Sequence, residues 1–402
     1  MGIDFEEVGG LVAPWLSAIC IVASILGSIA ALGAAWATRW FLRLRAPAPP
    51  ATWPDISILK PLYRAEAQLS QNIDTFCRQD YPSKVQLVFG VQDPEDSAIR
   101  VVRSLIARYP EMDIQLVIDG AMHGSNRKVS NLINMAEVAR YAVIVAADSD
   151  VAVGPDYLRT LAAALGEPGV GAATCLYWGR STGSFWSRLS SLAVNDHFLP
   201  TTILGLAIGL ARPCLGATIA LTRETLTRIG GFQTVANRLA DDYAIGDAVR
   251  KIGLKVVVSP MLVVHSSEEG SLREVVRHEL RWARTIFTID PIGYIGSGLT
   301  HAWPLALIGA ALRGFDGLGV AAIFCALACR LFLKHRLARQ FELPDPSYAL
   351  LFVRDILSFA IYLASFWSTK VAWRGQDFAV ARDGTLLATV SSGSSRHLVE
   401  RQ

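Results

Sequence analysis

The sequence predicts an α/β fold. A largely parallel sheet with helices on both faces is carried between apolar segments at the two ends of the chain. Three observations lead there. From Asp55 to Ile289, short apolar runs alternate with amphipathic stretches, the pattern of successive strand–helix units. Residues 11–37 are apolar almost without interruption, and three further apolar segments follow Asp290. The chain is 52% apolar and 18% charged, with mean hydropathy +0.35. That is too apolar for an ordinary soluble domain and too charged for membrane spans alone.

Taken in order, residues 1–45 form an N-terminal transmembrane anchor. The stretch from Leu11 to Ala37 is long enough to cross a bilayer, and the acids Asp4, Glu6 and Glu7 before it do not suit a secretory leader. Arg39, Arg43 and Arg45 follow the span, which puts its C-terminal end and the next domain in the cytoplasm. Residues 46–54, with Pro47, Pro49 and Pro50, read as a stiff linker. The α/β domain occupies 55–289. Strands are predicted at Ile56–Pro61, Val85–Val91, Ile114–Ile118 and from Val143 into Ala147, with helices at Glu66–Arg78, Asp96–Arg108 and Lys128–Ala139 between them. A helix is predicted over Val235–Lys251, a strand over Lys255–Val258 and an Arg-rich amphipathic helix over Leu272–Ile286. Phe198–Ala211 is apolar but short for a span, and reads either as a core helix or as a lipid-facing segment. Residues 290–370 hold the membrane segments Ile292–Leu312, Leu318–Leu333 and Tyr348–Trp367. The basic connection Lys334, His335, Arg336 and Arg339 should be cytoplasmic, as should Lys370 and Arg374. Three full spans cannot meet all these sides, so one segment is expected to be re-entrant. The first, with Gly293, Gly296, Gly298 and Pro304, suits that best. Residues 371–402 read as a cytoplasmic tail, disordered around Ser391–Ser395.

Net charge is +3, and no long basic run points to nucleic acid. The six cysteines are scattered without a Cys-x-x-Cys pair, which argues for reduced thiols and against a zinc site or a disulfide framework.

Chemistry concentrates at the predicted strand ends. The run Val143–Ala147 leads into Asp148-Ser149-Asp150. Carboxylates at the carboxyl edge of an α/β sheet lie where such sheets bind ligands, and they suit Mg2+ or Mn2+ holding phosphate. An acidic turn is the plainer alternative. Lys60 and Asp93 end two other strands. Gly124 to Asn131 opens a helix with backbone N–H groups and Lys128, a nest for diphosphate or a simple helix cap. Asp241-Asp242 offers a proton-abstracting carboxylate, or merely an acidic helix start. His278, Arg281 and Trp282 fall on one helical face, where Arg281 suits a departing diphosphate. Arg273, Arg277 and Arg284 extend a basic stripe fit for lipid headgroups.

The ordered set Ser57–Leu62, Asp80-Tyr81-Pro82, Val91-Gln92-Asp93 with Asp96, Asn126–Leu132, Asp148-Ser149-Asp150, Leu239–Tyr243, Arg281–Thr285 and Trp373-Arg374-Gly375 resembles the membrane-anchored family-2 and family-21 glycosyltransferases. Ceramide glucosyltransferases and their bacterial relatives in hopanoid biosynthesis are the nearest in pattern, and the resemblance spans roughly residues 53–377. It implies a GT-A fold and inverting, metal-dependent transfer from a UDP-sugar to a hydroxyl of a membrane lipid. By the same resemblance, Asp93, Lys60, Asn126 and Lys128 would hold the donor, and Asp148 the nucleotide. Asp150 would hold the Mg2+ or Mn2+ that meets the diphosphate. Asp242 would be the base, Arg281 would assist the leaving group and Trp282 would shape the acceptor pocket. The family's last motif begins with Gln or Arg. Here the position is His278, which argues against a processive polysaccharide synthase and leaves the residue open to bonding a diphosphate oxygen or an acceptor hydroxyl. The implied setting is the bacterial cytoplasmic membrane, multi-pass, with the catalytic domain inside.

N-acetylglucosamine on bacteriohopanetetrol is the first expectation, and glucose on ceramide the second. His197 and His265 are candidates for acceptor contact or for structural roles. A transporter or receptor with a nucleotide-sensing domain is the alternative from another class. It predicts charges paired across membrane helices, of which the sequence offers few: Arg313 and Asp316 at one segment boundary, Arg354 and Asp355 near another.

Overall fold

The computed structural model describes residues 5–44, 47–343, 347–367, 370–373, 376–381 and 384–388. Helix α1, Phe5–Leu42, opens the chain, and its span Val12–Leu42 has mean hydropathy 2.3. The α/β domain follows with β1 (Ile56–Pro61), α2 (Leu69–Cys77), β2 (Val85–Val91), α3 (Ala98–Arg108), β3 (Asp113–Ile118), α4 (Arg127–Ala136), β4 (Val143–Ala146), β5 (Val151–Ala152), α5 (Tyr157–Leu165) and β6 (Val170–Ser181). Next come α6 (Phe185–Ala193), a π-helical turn at Val194–Phe198, α7 (Leu199–Ala207), β7 (Ile219–Thr222), α8 (Arg223–Arg228), a 3-10 turn at Phe232–Val235, α9 (Asp241–Lys251), β8 (Lys255–Ser267) and α10 (Leu272–Ile289). The C-terminal region holds α11 (Pro291–Ser297), α12 (Ala302–Leu312), α13 (Gly317–Gln340) and α14 (Leu351–Ser365), then the short strands β9 (Lys370–Trp373), β10 (Gln376–Val380) and β11 (Leu386–Ala388).

The main sheet runs β3-β2-β1-β4-β7-β6-β8-β5. Strands β1 to β4 are parallel, as their continuous apolar sequences announce. Beyond β4 the sheet is mixed: β7 is antiparallel to both β4 and β6, and β5 to β8, while β6 and β8 are parallel. Alternate residues feed two cores. Ile58, Leu87 and Val145 pack under α2, α3 and α5, whereas Leu59, Val88 and Ile144 pack under α4 and α9.

Two elements differ from the sequence reading. The helix expected from Val235 begins at Asp241, because the backbone of residues 236–239 is bonded elsewhere: Ala236 O accepts from Asn126 N at 2.8 Å, and Leu239 N donates to Gly384 O at 3.0 Å. The strand expected over Lys255–Val258 continues to Ser267, with Ser259 opposite Cys175 and Leu262 opposite Leu176. Pro260 and Met261 are taken up by that register shift, which is where a strand tolerates proline. Strands β5, β6 and β7 carry no separate signal that the sequence reading used.

Among the described residues, three helices are long and apolar enough to cross a membrane: Val12–Leu42, Gly317–Gln340 and Tyr348–Ser365. The segment expected to be re-entrant is broken, with Pro291–Thr300 and Ala302–Leu312 meeting at 68°. Glycines let these helices approach closely. A Cβ on Gly27 would stand 2.0 Å from Leu299 O, and one on Gly309 would stand 2.8 Å from the Ile21 side chain. Phe198–Ala211 divides into the last residue of the π-turn, α7 and an exposed end. Leu199 and Ile203 are buried with Ala37 and Phe41 of α1, whereas Leu210 is 79% exposed.

The candidate membrane helices α13 and α14 carry more paired charge than the sequence reading counted. Arg330 on α13 binds Asp355 on α14 through two bonds of 2.7 and 2.8 Å, and Lys334 binds Asp196 of the π-turn at 2.5 Å. Arg354 on α14 binds Glu279 on α10. All are buried. The strands of the tail are ordered where described. Arg374, Gly375 and the Ser391–Ser395 stretch lie outside the described residues.

Candidate active site

The carboxyl ends of β1, β2 and β4 share one edge, with Lys60 opposite Phe89 and Leu59 opposite Ala146. Lys60 is fully buried, donates to Asp148 O at 2.8 Å and lies 3.7 Å from the centre of the Phe76 ring. Burial pushes its ammonium down to about 7 against the pull of Asp150, Asp148 and Glu66. Asp93, past the end of β2, is exposed, and its carboxylate accepts from Glu95 N at 2.9 Å.

Lys128 gathers the acids. From the first turn of α4 it pairs with Asp148 at 2.7 Å and Asp241 at 3.4 Å. Burial opposes its charge, but Asp148, Asp241 and Asp242 together raise it well above the ordinary lysine value. Asp148 is pushed up by burial against the Lys128 pair. Asp242, in the first turn of α9, accepts from Gly216 N at 2.8 Å and Tyr243 N at 2.7 Å. Burial and the neighbouring Asp241 raise its carboxyl to about 6.

Gly216, which sequence reasoning missed, sits between these groups on the turn before β7. A Cβ there would lie 3.0 Å from Lys128 Nζ, 3.1 Å from Asp148 Oδ2 and 3.4 Å from Asp242 Oδ2. No local signal separates this glycine from the chain's other glycines. Only the crossing of β4, α4 and α9 at this turn assigns it a role.

Asn126 faces the protein interior. It is fully buried, caps α4 by accepting from Val129 N at 3.1 Å, and donates to Arg238 O at 2.9 Å and Asp241 Oδ1 at 3.4 Å. Its polar atoms have partners inside the protein, where it holds the start of α4 and meets Asp241.

Asp150 turns to the other side of Asp148. Its Oδ2 lies 3.2 Å from His265 Nε2 on β8, while its Oδ1 is buried with no hydrogen-bond partner, as is His265 Nδ1. Burial penalises the Asp150 charge, yet His265, His278 and Lys60 outweigh it and hold the carboxyl at about 2. Among the described residues no group of three His, Cys, Asp or Glu side chains is placed to hold a metal ion. Asp150 thus offers one orphaned carboxylate oxygen, Oδ1, while His265 holds the other. That suits a divalent cation completed by phosphate oxygens and water. His265, weighed beforehand as an acceptor contact or a structural residue, thus belongs with Asp150.

A cleft of about 370 Å³ opens here, lined by Asp150, His265, Glu269, His278 and Arg281 among others. A larger hollow of about 700 Å³, beside Pro50, Val143 and Thr222, lies at the opposite edge of the sheet. In α10, His278 Nδ1 bonds Glu269 Oε1 at 2.6 Å, and its ring packs on Trp282 at 4.3 Å. Trp282 in turn meets the edge of His265 at 5.9 Å. Burial lowers His278, with Glu269 opposing. The Arg281 guanidinium makes no hydrogen bond or ion pair among the described residues, and burial lowers it against the pull of Asp148 and Asp150. Arg273 and Arg277 are exposed, but Arg284 leaves the expected basic stripe and donates to Ser365 O of α14 at 3.3 Å. His197 contacts Thr300 Oγ1 at 2.9 Å and stacks on His301, away from the donor edge.

Comparison with known proteins bears on the fold and the family. Ceramide glucosyltransferase 1 of Caenorhabditis elegans is 22% identical over 86% of this chain and 75% of its own length. An N-acetylglucosaminyltransferase of Rhizobium sp. (strain N33) is 22% identical over 58% of this chain and 53% of its own. The solved mannosyltransferase PcManGT from Pyrobaculum calidifontis, in complex with GDP-Man and Mn2+, superposes with TM-score 0.51 at 20% identity, covering 88% of this chain and 99% of that one. It supports the GT-A fold. The family model described as glycosyl transferase family 21 matches residues 19–386, so the chain belongs to that family and is a sugar-transferring enzyme.

Proposed function

We propose that the protein transfers a sugar from a UDP-sugar to a hydroxyl of a membrane lipid with inversion at C1. The observation that carries this reading is the cluster of Asp148, Lys128 and Asp242 around Gly216, with the unpartnered Arg281 in the adjoining cleft. Asp93 binds the nucleotide side of the donor, and Lys60, buried beneath it, holds the Asp148 backbone carbonyl in place. Asp242 takes the proton of the acceptor hydroxyl, which attacks C1 from the face opposite UDP while the bond from C1 to the diphosphate breaks. A carboxyl near 6 is deprotonated at neutral pH yet basic enough to share a proton in the transition state. Arg281 lies where charge develops on departing UDP, and Trp282 walls the acceptor side. Asp150, with His265 holding its second oxygen, would hold Mg2+ or Mn2+, which when bound neutralises diphosphate charge. Divalent-metal use is supported by the orphaned Asp150 Oδ1 and by the Mn2+ of the mannosyltransferase with the same fold.

The apolar helices at both ends and the α1–α7 packing support a lipid acceptor and a bilayer partner. We place the enzyme in the bacterial cytoplasmic membrane with its catalytic domain inside, because Arg39 and Arg43 follow the first span. The preferred pair is N-acetylglucosamine and a hopanoid polyol such as bacteriohopanetetrol. The rhizobial relative supports the sugar, and the sequence pattern supports the acceptor. Glucose on ceramide is the second reading, favoured by the longer match to the nematode enzyme.

The test is a membrane assay crossing UDP-glucose and UDP-N-acetylglucosamine with ceramide and bacteriohopanetetrol. Turnover of one pair identifies the reaction, and no turnover with any pair refutes the proposal. In the active pair, Asp242→Asn should lower kcat by about 10³-fold or more while UDP still binds. Wild-type kcat should fall as pH drops through about 6, because protonation removes the base. A flat profile down to pH 5, or normal transfer by Asp242→Asn, rejects Asp242 as base.

A further inference from the structure

Helix α10 carries His278, Arg281 and Trp282, and between the first two stands Glu279. His278 and Arg281 line the cleft, but Glu279 points to α14 and is buried, 8% exposed. Both of its oxygens are held by one guanidinium. Arg354 Nη1 donates to Oε1 at 2.7 Å, and Arg354 Nη2 donates to Oε2 at 2.5 Å. Arg354 belongs to membrane helix α14 and is itself 1% exposed. Its remaining donors reach Leu189 O of α6 at 3.3 Å and Ser358 Oγ at 3.0 and 2.8 Å. The guanidinium is therefore a junction of α10, α6 and α14.

We infer that the Glu279–Arg354 pair is a positioning device through which membrane helix α14 sets the placement of Arg281 in the catalytic cleft. Three observations favour this over a purely structural tie. The bidentate fork constrains rotation and translation of α10, not only its distance from α14. Arg281 has no partner of its own among the described residues, so its position depends on its helix. The second tie, Arg284 to Ser365 O, lies beyond Arg281, so the catalytic residue sits between two fixed points on α14. Removing one partner leaves a buried charge that must find water or shift the helix. A displacement of α10 by a fraction of an ångström moves Arg281 relative to the diphosphate, which costs rate more than donor affinity.

The inference rests on the transfer reaction proposed above, and its test separates the two. Glu279→Gln, Arg354→Met, Arg354→Lys and the double variant Glu279→Leu/Arg354→Met are made in the full chain in membranes. Glu279→Gln and Arg354→Met are expected to lower kcat about 10- to 100-fold with donor KM within about twofold of wild type. Arg354→Lys should recover part of the loss, and the apolar double variant should fold yet remain slow. Amide exchange across residues 276–284 should quicken in the slow variants. Wild-type kcat in both single variants overturns the inference. So does a double variant that regains full kcat together with thermal stability, because that outcome marks a tie that serves only folding. If the wild type itself turns over none of the four substrate pairs, the reaction assigned above fails. The exchange experiment then decides alone: faster exchange across 276–284 at an unchanged unfolding midpoint supports positioning, and unchanged exchange overturns it.

Discussion

Gly216 shows how a residue with no side chain can belong to the candidate site. Its missing Cβ leaves room where Lys128 Nζ and Asp148 Oδ2 come within 3.0 and 3.1 Å of where that atom would stand. Its N–H orients Asp242 at 2.8 Å. Gly216→Ala is expected to keep the fold, because the turn needs no left-handed backbone there, but to press on the Lys128–Asp148 pair. Turnover should fall by about 100-fold with the unfolding midpoint near wild type, and turnover within a few-fold of wild type would show that the cluster yields without consequence. At this scale the acids were legible in the sequence, because Asp-x-Asp after an apolar run and Asp-Asp at a helix start are local patterns. Gly216 and the pairing of His265 with Asp150 were not. Each depends on residues far apart in the chain meeting at one sheet edge. Asn126 shows the converse. It stands within a recognisable motif, yet its position beneath the site assigns it to helix capping.

Among the elements, the segment 384–388 has a role that composition conceals. Leu386 N donates to Asn237 O at 2.8 Å, Leu239 N donates to Gly384 O at 3.0 Å, and Ser125 Oγ donates to Leu386 O at 3.2 Å. The last strand thus pairs with the loop that leads into Asp241-Asp242 and with the loop that leads into α4. Truncation after Ala381 removes these bonds and is expected to lower kcat about tenfold and to quicken amide exchange over residues 236–241. Unchanged kcat and exchange would mean that the loop holds itself. The same pairing explains why α9 starts at Asp241 instead of Val235: propensity favoured helix, but the backbone groups of residues 236–239 had partners across the chain. The full length of β8 was hidden for a related reason. Ser259-Pro260-Met261 reads locally as a break, and only the register against β6 absorbs it.

For the whole molecule, the catalytic domain and the membrane helices are joined by packing and by buried charge. Helix α1 buries Ala37 and Phe41 against α7 and donates from Ser17 Oγ to Gly309 O at 2.8 Å. Deleting residues 1–44 should leave a chain that still sediments with membranes after an alkaline wash, since α13 and α14 remain, but that has lost transfer activity. Recovery of an active soluble protein would show α1 to be a simple anchor. Paired charge in the spans is what a transporter would also show. Here the pairs Lys334–Asp196 and Arg354–Glu279 run from membrane helices to the catalytic domain, and the family assignment covers both parts. The sequence by itself determined the α/β class, the parallel half of the sheet, the apolar ends and the carboxylates at strand and helix starts. These follow from periodicity, hydropathy and short motifs, which are local properties of the chain. Only the tertiary structure decided that β7 and β8 complete a mixed sheet, that His265 meets Asp150, that Gly216 is the centre of the site and that Arg354 reaches Glu279. Those contacts join residues far apart in the chain, and their existence depends on which backbone and charged groups remain to be satisfied once the core has packed.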